Sequence, residues 1–328
     1  MPLFIIVKCI MTGPRYELYY MPISLEKFRP DSIVNFSLYM KVKDKLVLYR
    51  DKNIVITADD IENLKASGVK FLYIKKEERK KYREYMENNL EGILKDPSVD
   101  QHVKATYLYE AAVNVVEDIF EHPKRGEVVK RSKEVVNHTV DFILSGPDAF
   151  VNLLQIRAHD YYTFTHSVNV CTFAVALGNK IGAFDDKTLR ELGVGALLHD
   201  LGKSMVDPKI INKPGKLTPA EWEEMKKHPE YGVELAKQSG LVSEQSMLII
   251  GQHHEKFDGT GYPQGLKGRQ ISLFGRIGTV VDVFDAITTT RSYSKAKEPI
   301  EAAKFMLEHK EAFDEKLLYA FIELITVK

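Results

Sequence analysis

The apolar residues of the first 76 positions fall into short strand-like runs, LFIIVKCI, FSLYMKV, KLVLYR and KFLYIKK, separated by turn signals. Runs of four to eight apolar and β-branched or aromatic residues bounded in this way predict strands, whereas apolar residues three and four apart predict helices. One stretch here has the helical period: in ITADDIENLKASGV, Thr57 with Asp60 three residues later makes an N-cap, and Gly68 is a natural stop. Residues 1–76 are therefore expected to form a small α/β domain. It contains neither a glycine-rich phosphate loop nor a His/Cys cluster.

From Glu77 the pattern turns helical. The charged segment KKEERKKYREYMENNLEGILKD carries Tyr82, Tyr85, Met86, Leu90 and Leu94 along one stripe. It reads as a solvated linker helix packed on one side, with a dimerisation helix as the alternative. Further helices are predicted over 103–120 and 127–144, the second stopped at Ser145, Gly146 and Pro147. Residues 77–146 are thus expected to be a helical linker. From 147 to 328 one helix follows another. Asp185 or Asp186 is placed to cap DDKTLRELGVGALLHDLG, and Thr218 with Glu221 forms a capping box with Pro219 at the first helical position. This second domain is expected to be all α.

Composition narrows the classes. A chain of 328 residues, 44% hydrophobic and 28% charged, is long enough for two globular domains. Lys plus Arg and Asp plus Glu balance at 46 each, which argues against a DNA- or RNA-coating protein and against an electrostatic membrane anchor. An anionic ligand would have to be met by local charge. Cys9 and Cys171 are far apart in apolar surroundings, which fits a reducing compartment rather than a disulfide framework. The opening LFIIVKCIM is short and interrupted by Lys8, so neither membrane insertion nor a signal peptide is expected, and the reading is cytoplasmic.

The candidate chemistry gathers around His199 and Asp200 in GVGALLHDLGKS. A histidine and an aspartate ending an apolar helical run are costly to bury unless something pairs with both, and a metal ion is the usual partner. Other candidate ligands stand on or beside helical segments: His166 in YTFTHSVNV, His228 in MKKHPEYG, His253 and His254 in IIGQHHEKFDG, and Asp282 in VVDVFDAI. Helix bundles build metal sites by converging such side chains on one interior point. Taken singly, each has a plainer explanation: His166 as a hydrogen-bonded core residue, Asp200 as a cap, His228 as an N-cap before Pro229 and Lys203 as a solvated lysine. His102, His122 and His138 lack acidic or cysteine partners at ligand spacing and read as surface or cap residues. Asp282 and Asp285 are one turn apart on an apolar helix, so one is expected to face inward and the other to cap or pair. His253 and His254, if helical, would point about 100° apart and so serve two neighbouring ions rather than one.

With HDLGK and HHEKFDGTGYP both intact, residues 150–300 resemble the HD-GYP family of metal-dependent phosphodiesterases. The resemblance implies an all-α HD-type catalytic domain whose ligands are His166, His199, Asp200, His228, His253, His254 and Asp282. It also implies a pair of divalent ions, iron or manganese by the mixed His and carboxylate set. The implied reaction is hydrolysis of cyclic di-GMP to the linear dinucleotide, with a second cut to GMP left open, by a hydroxide held between the ions. Asp200 and Lys203 would act in catalysis, and Lys203, Gly261, Tyr262, Pro263 and Arg291 would bind substrate. The first domain looks like the module that precedes some of these catalytic domains, usually taken as sensory or regulatory, through which a homodimer or a signalling partner could be engaged.

The chain departs from the family pattern at two places. Ser292 stands where a proline is common and Ser294 where a basic residue often helps to hold phosphate, with Lys295 next door; this bears on substrate affinity. Tyr162 stands where some members carry a glutamate and assemble three metals, so two ions are favoured over three, and Asp160 is not counted. Two other functions stay open: a sensor or scaffold that binds cyclic di-GMP without cutting it, and an HD phosphohydrolase acting on another nucleotide.

Overall fold

The computed structural model describes residues 9–12, 14–156, 163–289 and 296–326. The chain divides into two compact units, Met1–Tyr107 and Leu108–Lys328. The residues 77–146 expected as a linker are shared between them.

In the first unit, β1 (Cys9–Thr12), β2 (Tyr20–Ser24), β4 (Leu38–Val42), β5 (Lys45–Arg50) and β7 (Phe71–Lys75) form an antiparallel sheet in the order β1-β5-β4-β7-β2. A separate pair joins β3 (Ser32–Val34) to β6 (Ile54–Ile56). The strand β2 was not expected from the sequence because Pro22 interrupts it. Proline lacks the N–H that an interior strand must donate, and β2 tolerates it by lying at the sheet edge. Helix α1 (Ala58–Ala66) opens with the expected capping box: Thr57 Oγ1 accepts from the Asp60 N–H at 3.1 Å, and Asp60 accepts from the Thr57 N–H at 3.0 Å. Gly68, with φ +75°, ends it. Helix α2 (Arg79–Lys95) buries Tyr82, Tyr85, Met86, Leu90 and Ile93. Ile93 takes the last place on the stripe, and Leu94 is only half-buried. The stripe packs within this unit. Phe36 meets both Tyr82 and Tyr85 edge-on, and the Tyr85 hydroxyl accepts from the Arg29 N–H at 2.8 Å.

Helix α3 (Gln101–Glu121) contains the division between the units. The other regular elements among the second unit's described residues are all helices, as the sequence predicts. They comprise α4 (Gly126–Leu144), α5 (Pro147–Ile156), α6 (Thr163–Lys180), α7 (Asp186–Leu197), α8 (Pro208–Ile211), α9 (Pro219–Met225), α10 (His228–Ser239), α11 (Glu244–Gln252), α12 (Leu273–Thr288), α13 (Pro299–Glu308) and α14 (Glu315–Ile325). Asp185 caps α7 by accepting from the Thr188 N–H, and the Thr218–Glu221 capping box starts α9. Helices α6, α7, α11 and α12 pack against one another. Phe173, Phe284 and Phe321 close the core at one side of this group, with ring centroids 5.0–5.6 Å apart in edge-to-face pairs. Each buried phenylalanine contributes roughly 1.5–3 kcal/mol. This packing sets buried polar side chains on α6 and α12 and just beyond the end of α7. Among the described residues no helix is long and apolar enough to cross a membrane.

Candidate metal centre

All seven expected ligands converge. His166 stands near the start of α6 and Asp282 within α12, while the other five stand at or just beyond helix ends. His199 and Asp200 follow the end of α7 and precede a 3-10 turn over Leu201–Met205. His228 is the first residue of α10, buried rather than capping. His253 and His254 follow the end of α11, with His253 as its C-cap. His253 keeps right-handed helical angles and donates its N–H to the Ile249 carbonyl, yet the two rings, expected to serve separate ions, have centroids only 4.1 Å apart. His228, His253 and His254 form one cluster, and His166, His199 and Asp200 form a second.

Two carboxylates link the clusters. Asp200 Oδ2 lies 3.4 Å from His199 Nε2 and 3.7 Å from His166 Nε2, and its Oδ1 lies 3.4 Å from His228 Nε2 and 4.0 Å from His253 Nε2. Asp282 repeats the arrangement, with Oδ1 3.0 Å from His166 Nε2 and Oδ2 3.6 Å from His254 Nδ1.

The ring nitrogens settle whether cations fit here. The Nδ1 atoms of His199, His228 and His253 face the carbonyl oxygens of Ala196, Met225 and Ile250 at 2.7, 2.8 and 3.0 Å. A carbonyl only accepts, so each Nδ1 donates and each neutral ring keeps a lone pair on Nε2. Those lone pairs face one another, at 3.2 Å between His199 and His166 and at 3.2 Å between His228 and His253. His166 likewise donates from Nδ1 to Asp285 Oδ2 at 2.7 Å, which leaves its Nε2 facing Asp282. Asp200 Oδ1 is buried without a hydrogen-bond donor. Acceptors turned towards acceptors inside a protein are stable only around positive charge, and the mixed imidazole and carboxylate donors suit divalent metal ions.

Electrostatics agree. Burial, the largest influence, holds His228 at about 3 and His254 at about 4, and it also depresses His253. Burial would raise Asp200 and Asp282. Lys203 and His199 around the first, and His166 and His254 around the second, outweigh it and keep both carboxyls well below their usual range. A consequence follows for the metal-free protein. The unfolded chain takes up protons on its histidines below their ordinary value of 6.5, while His228 and His254 in the fold stay neutral down to about 3 and about 4. The unfolded state then binds more protons, so stability falls as pH is lowered from about 6.5 towards 4. Thermal melts of metal-free protein are expected to shift downward steadily across that window, and a flat profile would contradict the buried neutral rings.

Lys203 reaches the same point from the 3-10 turn rather than from a continuing helix, with Nζ 2.6 Å from Asp200 Oδ2. The glycine loop stands against the second cluster. The Tyr262 ring stacks on His254 at 4.7 Å, and the Tyr262 N–H donates to the His254 carbonyl at 3.1 Å. A Cβ on Gly261 would stand 2.3 Å from the Lys256 nitrogen and 2.5 Å from the His254 oxygen, so only glycine permits this approach. Pro263 follows in the turn. Arg291, with Ser292, Ser294 and Lys295, lies outside the described residues, as do Asp160 and Tyr162.

Of the supporting layer, sequence reasoning gave only the pairing role of the second aspartate on α12, and it missed Glu255, Asn169 and Tyr109. Glu255 is fully buried, and its carboxylate accepts from the Gln264 N–H at 2.7 Å and the Leu266 N–H at 2.9 Å, which pins the glycine loop. Asp285, one turn from Asp282, also faces inward: besides His166 it accepts from Asn169 Nδ2 at 2.9 Å, and Asn169 in turn accepts from the Tyr109 hydroxyl at 3.0 Å. A carboxylate behind a ligating imidazole fixes its tautomer and raises its basicity. Asp285→Asn is therefore expected to lower metal affinity roughly 10–100-fold, measured by titrating metal-free protein, with little change in the melting of the metal-free form.

The HD domain model matches residues 156–317. The chain is 36% identical over 225 residues to the protein named Cyclic di-GMP phosphodiesterase PA4108 of Pseudomonas aeruginosa, which covers 68% of this chain and 54% of that protein. It is 34% identical over 206 residues to 3'3'-cGAMP-specific phosphodiesterase 3 of Vibrio cholerae, covering 60% of this chain and 44% of that one. The chain thus spans about half the length of these two relatives. Among solved structures it is similar to Bd1817, an HDG"Y"P protein from Bdellovibrio bacteriovorus, with a TM-score of 0.67 and 25% identity over 94% of this chain and 100% of the other. The HD match covers the convergent ligands, the similarity to Bd1817 extends over nearly the whole chain, and the glycine-tyrosine-proline turn is seated on a histidine of the cluster, so the chain belongs to the HD-GYP family.

Proposed function

We propose that this chain is a metal-dependent phosphodiesterase that hydrolyses cyclic di-GMP to the linear dinucleotide pGpG, with GMP as the product of a second cut. The observation that carries the reading is that Asp200 and Asp282 each turn one oxygen to each histidine cluster. This arrangement fits two ions side by side rather than one. We assign His166, His199, Asp200 and Asp282 to one ion and His228, His253 and His254 to the other with the remaining oxygens of the two aspartates. Iron or manganese is the proposed metal, two ions rather than three. Ions so held supply a water of lowered pKa and positive charge against the charge that builds on the phosphate oxygens.

The chain's own residues do the rest. Lys203 is positioned by Asp200 and is directed to a non-bridging phosphate oxygen as a point charge, and Arg291 is proposed for a second oxygen. Tyr262 and the Gly261–Pro263 backbone line the entry beside His254. In the net reaction, water adds across one P–O bond: its oxygen goes to phosphorus, and a proton goes to the departing 3′ oxygen. No side chain need act as the base. We propose residues 1–76 as a regulatory module, 77–146 as the linker and 147–328 as the catalytic domain, with a signalling partner or second copy engaged through the first. The proposed compartment is the cytoplasm, in keeping with the free, buried Cys171.

The test is anaerobic incubation of metal-analysed protein with cyclic di-GMP, with products followed by chromatography. Linear dinucleotide or GMP appearing in proportion to bound metal supports the reading. The similarity to a 3'3'-cGAMP-specific enzyme favours one second reading, a related cyclic dinucleotide as substrate. Preferential cleavage of 3'3'-cGAMP would establish that reading instead. Nucleotide bound but intact after hours with both ions present would mark a sensor.

A further inference from the structure

Trp222, the sole tryptophan of the chain, is 45% exposed, although its helix is held firmly. Helix α9 begins with the Thr218–Glu221 capping box, Pro219 fixes its first turn, and Lys213 Nζ pairs with Glu221 at 2.5 Å. None of the residues of α9 is fully buried, so the indole is not there to anchor the helix in the core. It is turned instead to the glycine loop. Its ring lies 6.0 Å from that of Tyr262 at 78°, and Tyr262 lies flat on His254. The three rings follow one another from the cluster in the order His254, Tyr262, Trp222, and the last two meet edge to face at a corner whose indole is nearly half exposed.

We infer that Trp222 is a substrate-binding residue, and that its open face stacks a purine base of the cyclic dinucleotide while Tyr262 meets the base at its edge. This rests on the proposed phosphodiesterase reading. A phosphodiester held between the two histidine clusters places its nucleosides outward, in the direction the rings follow. A large rigid aromatic gives contact area at little entropic cost, and stacking pairs a π-face with a base whatever its hydrogen-bonding edge. The corner therefore selects for a flat heteroaromatic next to the scissile phosphate. It separates cyclic dinucleotides from phosphodiesters that lack a base. Hydrogen-bonding groups elsewhere must distinguish guanine from adenine.

Because the chain has one tryptophan, its fluorescence reports this corner alone. The experiment combines stopped-flow fluorescence of the metal-loaded protein mixed anaerobically with cyclic di-GMP, read before turnover, with steady-state kinetics of the wild type, Trp222→Phe and Trp222→Leu. The expected result is saturable quenching in the wild type. Trp222→Leu should raise KM roughly tenfold or more with kcat nearly unchanged, and Trp222→Phe should recover most of the loss. If the wild type cleaves cyclic di-GMP and Trp222→Leu matches it, the stacking role is overturned and the phosphodiesterase reading stands. If Trp222→Leu lowers kcat and bound metal without a change in KM, Trp222 is a structural residue and the inference is overturned. Saturable quenching without turnover overturns the phosphodiesterase reading and supports the aromatic corner. Neither quenching nor turnover overturns both.

Discussion

Asp200→Ala is expected to lower hydrolysis of cyclic di-GMP by ~10³-fold or more and to reduce the metal bound by purified protein. The loss is large because Asp200 reaches two histidines of each cluster through the two oxygens of one buried carboxylate. Without it, each set of imidazoles loses one of its two carboxylate donors and Asp282 alone would offset the charge of the cations. The metal-free variant should fold. Asp200 is buried, its Oδ1 has no donor, and its main partner is the ammonium of Lys203, which is partly exposed and can turn to water. Removing a buried charge of that kind relieves a desolvation cost as well as losing an attraction. Metal analysis, circular dichroism and turnover of the same preparation check this. Wild-type metal content together with wild-type turnover in Asp200→Ala would end the assignment of the centre.

Gly202→Ala is expected to be nearly as damaging, by a different route. A Cβ at Gly202 would stand 1.8 Å from the His228 carbonyl oxygen and 2.4 Å from the Gly232 nitrogen, both backbone atoms of α10. Backbone cannot swing aside as a long side chain can, so α10 must shift and carry His228 away from Asp200. Overpacking of a core typically costs about 1–3 kcal/mol, and a clash this deep lies at or beyond the upper end. We expect a fall in melting temperature and loss of metal from the His228 cluster ahead of the His166 cluster. Gly146→Ala, at a place where the added Cβ has no neighbour within 4 Å, serves as the control and should melt like the wild type. An unchanged melt for Gly202→Ala would mean that the 3-10 turn and α10 are not packed as described.

The candidate ligands stood out in the sequence because histidine and aspartate on or beside apolar helices are chemically conspicuous, and the fold brings them together. The caps were legible because Thr57, Asp185 and Thr218 act on backbone only two or three residues away. What could not be read is what depends on distant chain. Glu255 sits in the charged run HHEKFD and looks like a solvated residue; only the fold turns its carboxylate onto the N–H groups of Gln264 and Leu266. Asn169 and Tyr109 are ordinary helix positions until the packing of their helices sets them in line with Asp285. The spacing of Asp282 and Asp285 indicated one inward carboxylate and one that caps or pairs; Asp282 faces the clusters and Asp285 pairs with His166, a partner the sequence did not name. The grouping of His253 with His254 in one cluster was not read, because a step of about 100° was taken to separate two side chains whose ring nitrogens in fact approach a common point.

The carbonyls behind the histidines separate two kinds of ligand. His199, His228 and His253 are each aligned by a carbonyl three residues earlier, at Ala196, Met225 and Ile250, so their aim is written into a few consecutive residues. His166 is aligned by Asp285, 119 positions away. Three of the rings are thus portable cassettes that would keep their orientation if grafted onto another helical scaffold. His166 is not, and a transplanted centre that omitted the α12 carboxylate would arrive with that ring free to turn.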